Sequence, residues 1–208
     1  MKDTSRRVLE SACRIFAEKG FQNATVAEIC SLAGANVASA NYYFGTKEHL
    51  YEKAIRLAFS ASEEEFPLDG GLAPGVPPLE RLSAFVSTTL WRTFSDGLAG
   101  YAQRIFAHEF SNPIDAMDGV FKDALRPGRN CLRAILRDML GEDVPESTIR
   151  LLYFNVLSLC TFYSFNQKAR SRLEKSGRIT GVQIDELAEH ITRFAEGGIR
   201  QSRELTPA

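Results

Sequence analysis

The sequence is poor in the residues that usually build metal, redox and disulfide sites. It contains only 4 cysteines and 3 histidines, and no two cysteines form a C-x-x-C pair. Cys13, Cys30, Cys131 and Cys160 are widely spaced among apolar neighbours. This pattern favours buried free thiols in a reducing compartment, with a redox switch or a metal site as the alternative.

Long apolar runs and catalytic signatures are also missing. No stretch reaches the roughly 18 apolar residues of a membrane helix. The start, MKDTSRR, is charged and has no apolar core, so we expect no signal peptide. No G-x-S-x-G, H-E-x-x-H or Walker-type loop is present, and no histidine follows a glutamate by three residues, as a di-iron bundle requires. We expect a cytoplasmic protein without cofactor, metal or membrane contact that is not an enzyme; a helical enzyme is kept as an alternative.

A large excess of charge of either sign is absent, because the formal net charge of the whole chain is −1. Residues 1–60 carry 8 Lys and Arg against 6 Asp and Glu, a net charge of +2, whereas the remainder carries 17 against 20, a net charge of −3. This difference has the sign expected if the N-terminal end contacts DNA.

Helical periodicity is what the sequence does contain, and no segment alternates with period two, so we predict an all-α fold. Residues 67–78, PLDGGLAPGVPP, form a Pro/Gly loop without periodicity. We therefore predict two domains, over residues 1–60 and 61–208. Apolar spacing predicts helices at about 4–20, 25–33, 37–44, 47–66, 79–96, 98–111, 114–125, 146–172 and 182–203. Helical spacing also continues after residue 125, as far as residue 140.

Pro127 can either kink the helix that contains it or open a new one through Leu140. Gly20 is expected to end the first helix, and Phe21 to fold back onto the core. Five apolar side chains should form the core of the first three helices: Phe16, Ile29, Leu32, Val37 and Phe44.

The segment that begins at Thr25 predicts two short helices joined by a tight turn. Thr25 and Glu28 form a capping-box pair at the start of the first helix. Gly34 follows its last periodic residue, where a positive φ ends a helix. Asn36 can cap the second helix, which runs from Val37 to Phe44. A link of about three residues is typical of a helix-turn-helix.

Residues 33–51, AGANVASANYYFGTKEHLY, resemble the recognition region of TetR-family transcriptional regulators. The family pattern is roughly A-G-V-S-x-x-x-hydrophobic-Y-x-x-F-x-x-K-x-x-L. Six residues follow it: Ala33, Gly34, Tyr42, Phe44, Lys47 and Leu50. Asn41 stands where many members carry a tyrosine that touches DNA. The motif AGAN-x-A-S-x-NYYFG-[ST]-KE is most similar to that of the YbiH/CecR-like branch. The resemblance to the family covers about residues 5–60.

The resemblance implies an N-terminal three-helix helix-turn-helix domain joined to a larger C-terminal helical domain for ligand binding and dimerisation. It implies base contacts near Val37, Ala38 and Asn41. It implies phosphate contacts from Thr25, Ser39, Tyr42, Tyr43 and Lys47. Ala27 and Asn36 complete the expected DNA-binding set. Arg6 and Arg7 lie at the exposed start of the first helix, where phosphate contact and simple solvation are both open.

Aromatic side chains are frequent in the C-terminal half, with polar groups between them. Such a set can line an apolar pocket with a few orienting polar groups. At helical spacing, the same residues can equally form an ordinary core. The expected ligand-binding residues are Trp91, Phe94, Tyr101, Arg104, His108, Tyr153, Phe154, Asn155 and Phe162.

Two helices indicate a homodimer. The helix that starts at Glu146 is apolar nearly all round and must be covered on several sides. The last helix carries Gly197 and Gly198, each costing roughly 1 kcal/mol relative to alanine unless another helix approaches closely. The expected interface residues are Ile149, Tyr153, Val156, Leu187, Ile191, Phe194 and Gly198.

The single recognition helix and the surplus apolar surface predict a homodimer on a near-palindromic double-stranded DNA operator. The family resemblance implies a repressor that a ligand releases. We expect a small, largely apolar effector, with the helix over 47–66 as the connector between the two domains. A DNA-bound adaptor that acts through protein partners is the second alternative.

Overall fold

The computed structural model describes residues 2–165 and 181–204, and every regular element in these two ranges is helical. The predicted all-α fold, with an N-terminal helix-turn-helix and a C-terminal helical domain, is confirmed. The predicted end of the 146–172 helix and most of the predicted 173–181 turn lie outside the described residues. The helices are α1 (Lys2–Asn23), α2 (Val26–Ala33), α3 (Val37–Phe44), α4 (Lys47–Glu65), α5 (Pro78–Phe94), α6 (Gly97–Ser111), a 3-10 helix (Asp115–Met117), α7 (Asp118–Leu140), α8 (Glu146–Phe165) and α9 (Gly181–Glu204).

The first helix is broken at Gly20, which has φ 72° and ψ 171°. This backbone conformation is cheap only for glycine. The predicted return of Phe21 to the core is confirmed. Its ring centroid lies 6.2 Å from that of Phe16 and 5.0 Å from that of Tyr51.

Pro127 lies inside α7, a single helix of 23 residues, so it opens no new helix. The helix begins at Asp118, four residues later than predicted, after the 3-10 turn. A proline inside a helix removes one backbone hydrogen bond at a cost of roughly 3 kcal/mol. Buried apolar side chains on both sides of Pro127, such as Phe121 and Leu132, offset that cost.

Contacts divide the chain into two compact units. Unit 1 contains residues 1–65 and 95–124, and unit 2 contains residues 66–94 and 125–208. Helix α6 therefore belongs to unit 1, where it packs against α1 and α4. The functional division into residues 1–60 and 61–208 stays a prediction.

The core of unit 1 contains three of the five side chains predicted for it. Phe16, Ile29 and Phe44 are buried. Leu32 and Val37 are 45% and 43% exposed, so the prediction that they fill this core is wrong. Both lie next to the α2–α3 turn, where the sharp change of direction leaves them on the surface.

In unit 2, α5 packs against α8 and α9, and α8 also packs against α9. Arg92 of α5 is buried, and its Nε donates to the carbonyl oxygen of Phe66 at 2.7 Å. Phe66 directly follows the last residue of α4 in the chain. None of the described helices is long and apolar enough to cross a membrane.

Candidate nucleic-acid interface

Helix α2 starts at the capping box that the sequence predicts. Thr25 Oγ1 accepts from the Glu28 N–H at 3.2 Å, and the Thr25 N–H donates to Glu28 Oε2 at 3.2 Å. Lys19 Nζ bonds Glu28 Oε1 at 2.5 Å and ties the end of α1 to α2. The bonds from Lys19 and Thr25 lower the pKa of Glu28 below its usual value.

The turn between α2 and α3 also follows the prediction. Gly34 adopts the left-handed conformation, with φ 61° and ψ 40°. The Ala35 N–H then donates to the Cys30 carbonyl at 2.9 Å. Asn36 Oδ1 accepts from the Ser39 N–H at 2.6 Å and caps α3. These bonds fix the geometry of a helix-turn-helix.

Helix α3 has a buried side and an open side. Ala40 and Phe44 are buried, whereas Tyr42 is 76% exposed. The ten side chains predicted to bind DNA are all exposed or half-buried. The exposed ones are Thr25, Ala27, Asn36, Val37, Ala38, Asn41 and Tyr42. The half-buried ones are Ser39, Tyr43 and Lys47.

The open side of α3 presents hydroxyl, amide and small apolar groups and no charge. Such groups can form hydrogen bonds to base edges and to phosphate oxygens. The cation nearest in sequence is Lys47, in the first turn of α4. Its Nζ lies 4.4 Å from the centroid of the Phe21 ring. The sequence analysis assigned Phe21 only to the core. Its contact with Lys47 joins residues 26 positions apart, so no local sequence pattern predicts it.

Arg6 and Arg7 are paired on their own helix. Arg6 Nε lies 2.8 Å from Glu10 Oε1, and Arg7 Nη1 lies 3.4 Å from Asp3 Oδ2. Exposed pairs of this kind contribute little to stability. Each arginine can exchange its carboxylate partner for a phosphate, so these ion pairs are compatible with phosphate contact as well as with solvation.

The predicted ligand-binding residues fall into three groups. Trp91, Phe94 and Tyr153 pack against the core of unit 2. Phe154, Asn155 and Phe162 are exposed on α8. Tyr101, Arg104 and His108 lie on α6 in unit 1, where Arg104 stands 5.0 Å over the Tyr101 ring. A ligand-binding role for the set stays a prediction.

A cavity of about 150 Å³ lies beside the α1 break in unit 1. Its wall includes His108 and Glu109 of α6. The buried Glu109 carboxylate accepts from the Ile114 N–H at 2.6 Å and from the Tyr51 hydroxyl at 3.4 Å. Burial raises the pKa of Glu109 above its usual range. The Tyr51 bond joins α6 to α4, and no local sequence pattern predicts this pair.

The predicted dimer residues include three that the protomer buries in its own core. Ile149, Val156 and Ile191 are at most 2% exposed, so they offer no surface to a second chain. That part of the prediction is corrected. Tyr153 and Leu187 are half-buried, whereas Phe194 and Gly198 are exposed. Sequence reasoning missed Leu151, Phe154 and Phe162, the exposed apolar residues on the opposite side of α8.

The four cysteines are free thiols. Burial raises the pKa of Cys13 and of Cys160 to about 12, which keeps both protonated at neutral pH. Because the thiolate is the reactive form, this disfavours the redox alternative at these two positions. Over residues 2–165 and 181–204, no three His, Cys, Asp or Glu side chains cluster to hold a metal ion.

Two family models match the chain. Residues 8–54 match the bacterial regulatory proteins of the tetR family, and residues 78–199 match the C-terminal domain of the HTH-type transcriptional dual regulator CecR. The second match covers more than half of the chain. The first match runs from within α1 into α4, and the second runs from the start of α5 into α9.

Several known proteins are similar to the chain. The HTH-type transcriptional repressor NicS of Pseudomonas putida is 29% identical over 175 residues, which is 81% of this chain and 79% of NicS. CecR of Shigella flexneri is 42% identical over 50 residues, 24% of this chain and 22% of CecR. FadR of Bacillus subtilis, solved with stearoyl-CoA, has a TM-score of 0.71 at 15% identity over 93% of this chain and 98% of FadR. AibR, solved with isovaleryl coenzyme A and operator DNA, has a TM-score of 0.69 at 16% identity, covering 92% and 97%.

Proposed function

The chain belongs to the TetR family of transcriptional regulators and carries a CecR-type C-terminal domain, and from this we propose that it is a cytoplasmic repressor that a small molecule releases from its operator. The observation that carries the proposal is the capped α2–turn–α3 unit, which turns the uncharged hydrogen-bonding side of α3 outwards.

Helix α3 is short enough to read one half-site only. We propose that two protomers place their α3 helices in successive major grooves of a near-palindromic duplex. Half-sites should then lie about 34–36 Å apart or a multiple of that distance. NicS, which is similar to this chain over 81% of its length, is named as a repressor, which supports repression over activation.

Asn41 and Lys47 should have different roles at the operator. An asparagine can bond adenine through two hydrogen bonds, worth roughly 1–3 kcal/mol of discrimination. A lysine that contacts phosphate contributes equally to every sequence. We expect Asn41→Ala to relax the preference at one base position per half-site. We expect Lys47→Ala to weaken all sequences alike and to lower the salt dependence.

Electrophoretic shifts over a set of operator variants and salt concentrations measure both effects. Lys53→Ala is the matched control, because Lys53 is an exposed lysine of α4 outside the predicted interface. It should change neither the ranking nor the salt slope. An unchanged ranking of operator variants with Asn41→Ala would show that Asn41 does not specify sequence.

We propose that the second protomer covers the exposed apolar side of α8 and the neighbouring surface of α9. Leu151, Phe154 and Phe162 are 64%, 56% and 56% exposed. Phe194 on α9 is 66% exposed. Large apolar side chains exposed together on a protein surface are typical of an interaction site.

We propose that the effector is small and largely apolar and binds among the helices of residues 79–172. FadR and AibR, which share this fold, were solved with thioesters of coenzyme A, so the fold can accept ligands with an apolar acyl chain. The half-buried aromatic side chains Trp91, Phe94 and Tyr153, which pack against the core of unit 2, are the proposed lining. Trp91 is held in place by the bond from its Nε1 to Asp185 Oδ1 at 3.3 Å.

Helix α4 is the proposed connector between the effector and the DNA. It begins at Lys47, three residues after the end of α3, and ends next to Phe66, whose carbonyl Arg92 holds. In its middle, Tyr51 bonds Glu109 of α6. A movement of α5 or α6 would therefore pull on α4 and change the separation of the two α3 helices in the dimer.

Linkage gives a quantitative test of this coupling. A ligand shifts an equilibrium only if it binds one state more tightly than the other. Shifting the ratio of DNA-incompetent to DNA-competent protein from 1:99 to 99:1 needs a difference of about 5.5 kcal/mol between the effector's binding free energies for the two states. Two effector molecules per dimer can share this difference. By linkage, operator DNA must weaken effector binding by the same factor by which the effector weakens operator binding, typically about 5- to 150-fold.

Calorimetric titration of an effector into the protein, with and without operator DNA, measures this factor. Candidate effectors come first from a screen for metabolites that release the operator, with coenzyme A and its thioesters included. Equal affinities in the two titrations would rule out release by ligand and favour the adaptor alternative.

A further inference from the structure

Lys47 is a cation that the described protein does not neutralise. Several other basic side chains of unit 1 are paired with carboxylates: Arg6, Arg7, Arg14, Lys19 and Arg56. Among the residues that the structure describes, Lys47 Nζ has no carboxylate partner. It lies over the face of the Phe21 ring, 4.4 Å from the ring centroid.

The Phe21 ring is held firmly from behind. Tyr51 and Phe16, both at most 1% exposed, lie 5.0 Å and 6.2 Å from it between ring centroids. The Gly20 break is what turns Phe21 to this place. The positive φ of Gly20 favours glycine, and a Cβ there would stand 3.0 Å from His108 Nδ1, which would have to shift slightly. The ring is thus a fixed surface under the ammonium group.

An aromatic ring and a carboxylate position a lysine with different consequences. A carboxylate neutralises the charge and competes with phosphate for it. The ring attracts the ammonium group through its quadrupole and leaves the full positive charge available. A lysine that must bind DNA phosphate is therefore better placed by a ring than by an ion pair.

We propose that Phe21 is a positioning residue for DNA binding: it holds Lys47 in the direction of the operator phosphate and leaves its charge free. The proposal rests on the proposed function, in which Lys47 contacts phosphate. Phe21 itself touches no DNA and acts only through Lys47.

A double-mutant cycle tests the proposal in the full-length protein with operator DNA. Cation–π contacts at partly exposed sites correspond to about 2- to 5-fold in an equilibrium constant, so Phe21→Leu should raise the operator Kd by about that factor. Lys47→Ala should raise the Kd and lower the slope of log Kd against log salt by about 0.9 for each protomer's phosphate contact. The double variant should bind no more weakly than Lys47→Ala alone.

Two variants separate positioning from simple packing. Phe21→Tyr keeps the ring, and Phe21 lines the cavity beside the α1 break, so we expect its Kd to equal that of the wild type. Phe59→Leu removes a different ring of the unit 1 core, one that packs edge-on against Phe121. Its effect on Kd should add to that of Lys47→Ala instead of disappearing in the double variant.

Nuclear magnetic resonance of the free protein gives a second measurement that needs no DNA. The ring current of Phe21 should shift the Lys47 Hε signals upfield in the wild type and in Phe21→Tyr. The shift should vanish in Phe21→Leu but persist in Phe59→Leu.

Three outcomes would overturn the proposal. Additive effects of Phe21→Leu and Lys47→Ala on the Kd would show that Phe21 acts independently of Lys47. Unshifted Lys47 signals in the wild type would show that the contact is absent in solution. A normal Kd and salt slope with Lys47→Ala would remove the phosphate contact itself, and with it that part of the proposed function.

Discussion

Replacing Phe194 by arginine is expected to separate the two protomers and to abolish operator binding at concentrations where the wild type binds. Phe194 stands on α9 with 66% of its surface exposed. Gly197 and Gly198 follow it, and a Cβ added at either would meet nothing within 4 Å. A large apolar side chain beside two glycines gives a second helix both a contact and room for close approach.

The size of the effect follows from symmetry. In a two-fold dimer each side chain of the interface occurs twice. Burial of one phenylalanine contributes about 1.5–3 kcal/mol, so the loss of two raises the dimer dissociation constant by at least about 100-fold. The arginine charges add a desolvation cost if they are still forced into the interface. Operator binding is lost because a monomer reads only one half-site.

Sedimentation velocity measures the mass, and an electrophoretic shift measures operator binding. Phe110→Arg is the matched control, because Phe110 is 71% exposed but lies on α6 in unit 1. It should remain dimeric. A Phe194→Arg variant that sediments as a dimer and shifts the operator normally would place the interface elsewhere than α9.

The sequence predicts the helix-turn-helix well because its signals are local. The Thr25–Glu28 capping box and the Asn36 cap each depend on side chains and backbone groups within three residues, and both are confirmed. Gly34 has the positive φ that ends α2. The partners in such bonds are close together in the sequence, so the pattern can be recognised without knowledge of the tertiary packing.

The sequence predicts poorly which face of an apolar helix points inwards. Helix α8 is apolar nearly all round, so periodicity cannot tell whether Ile149 or Leu151 faces the same chain. The structure buries Ile149 completely and leaves Leu151 64% exposed. Leu32 and Val37 fail for a related reason: in helices of eight residues, exposure depends on how α2 and α3 cross, which is a tertiary property.

Contacts between distant residues leave no trace in the sequence pattern. Phe21 with Lys47, Tyr51 with Glu109 and Arg92 with Phe66 each join different helices or a helix and a loop. Their partners are set by helix packing. Sequence reasoning therefore predicted the outward side of α3 but none of these three contacts.

Gly100 is a second residue whose importance only packing shows, and Gly100→Ala is expected to destabilise the protein strongly. Gly100 is buried in α6, and an added Cβ would stand 1.9 Å from the Ser95 carbonyl oxygen and 2.8 Å from its carbon. These are backbone atoms, so no side-chain rotation relieves the clash. The Ser95–Gly97 turn must move away from α6.

The expected cost of Gly100→Ala is about 3 kcal/mol in the free energy of unfolding, at the upper end of overpacking costs in a well-packed interior. Helix propensity acts in the opposite direction, since alanine is favoured over glycine by about 1 kcal/mol inside a helix. Gly119→Ala is the control, because Gly119 is exposed in the first turn of α7 and a Cβ there would meet nothing within 4 Å. Urea unfolding should therefore show a loss for Gly100→Ala and a gain of up to about 1 kcal/mol for Gly119→Ala. If both variants gained stability alike, Ser95 would not pack on Gly100 in solution, and the sharp turn between α5 and α6 would have to take another path.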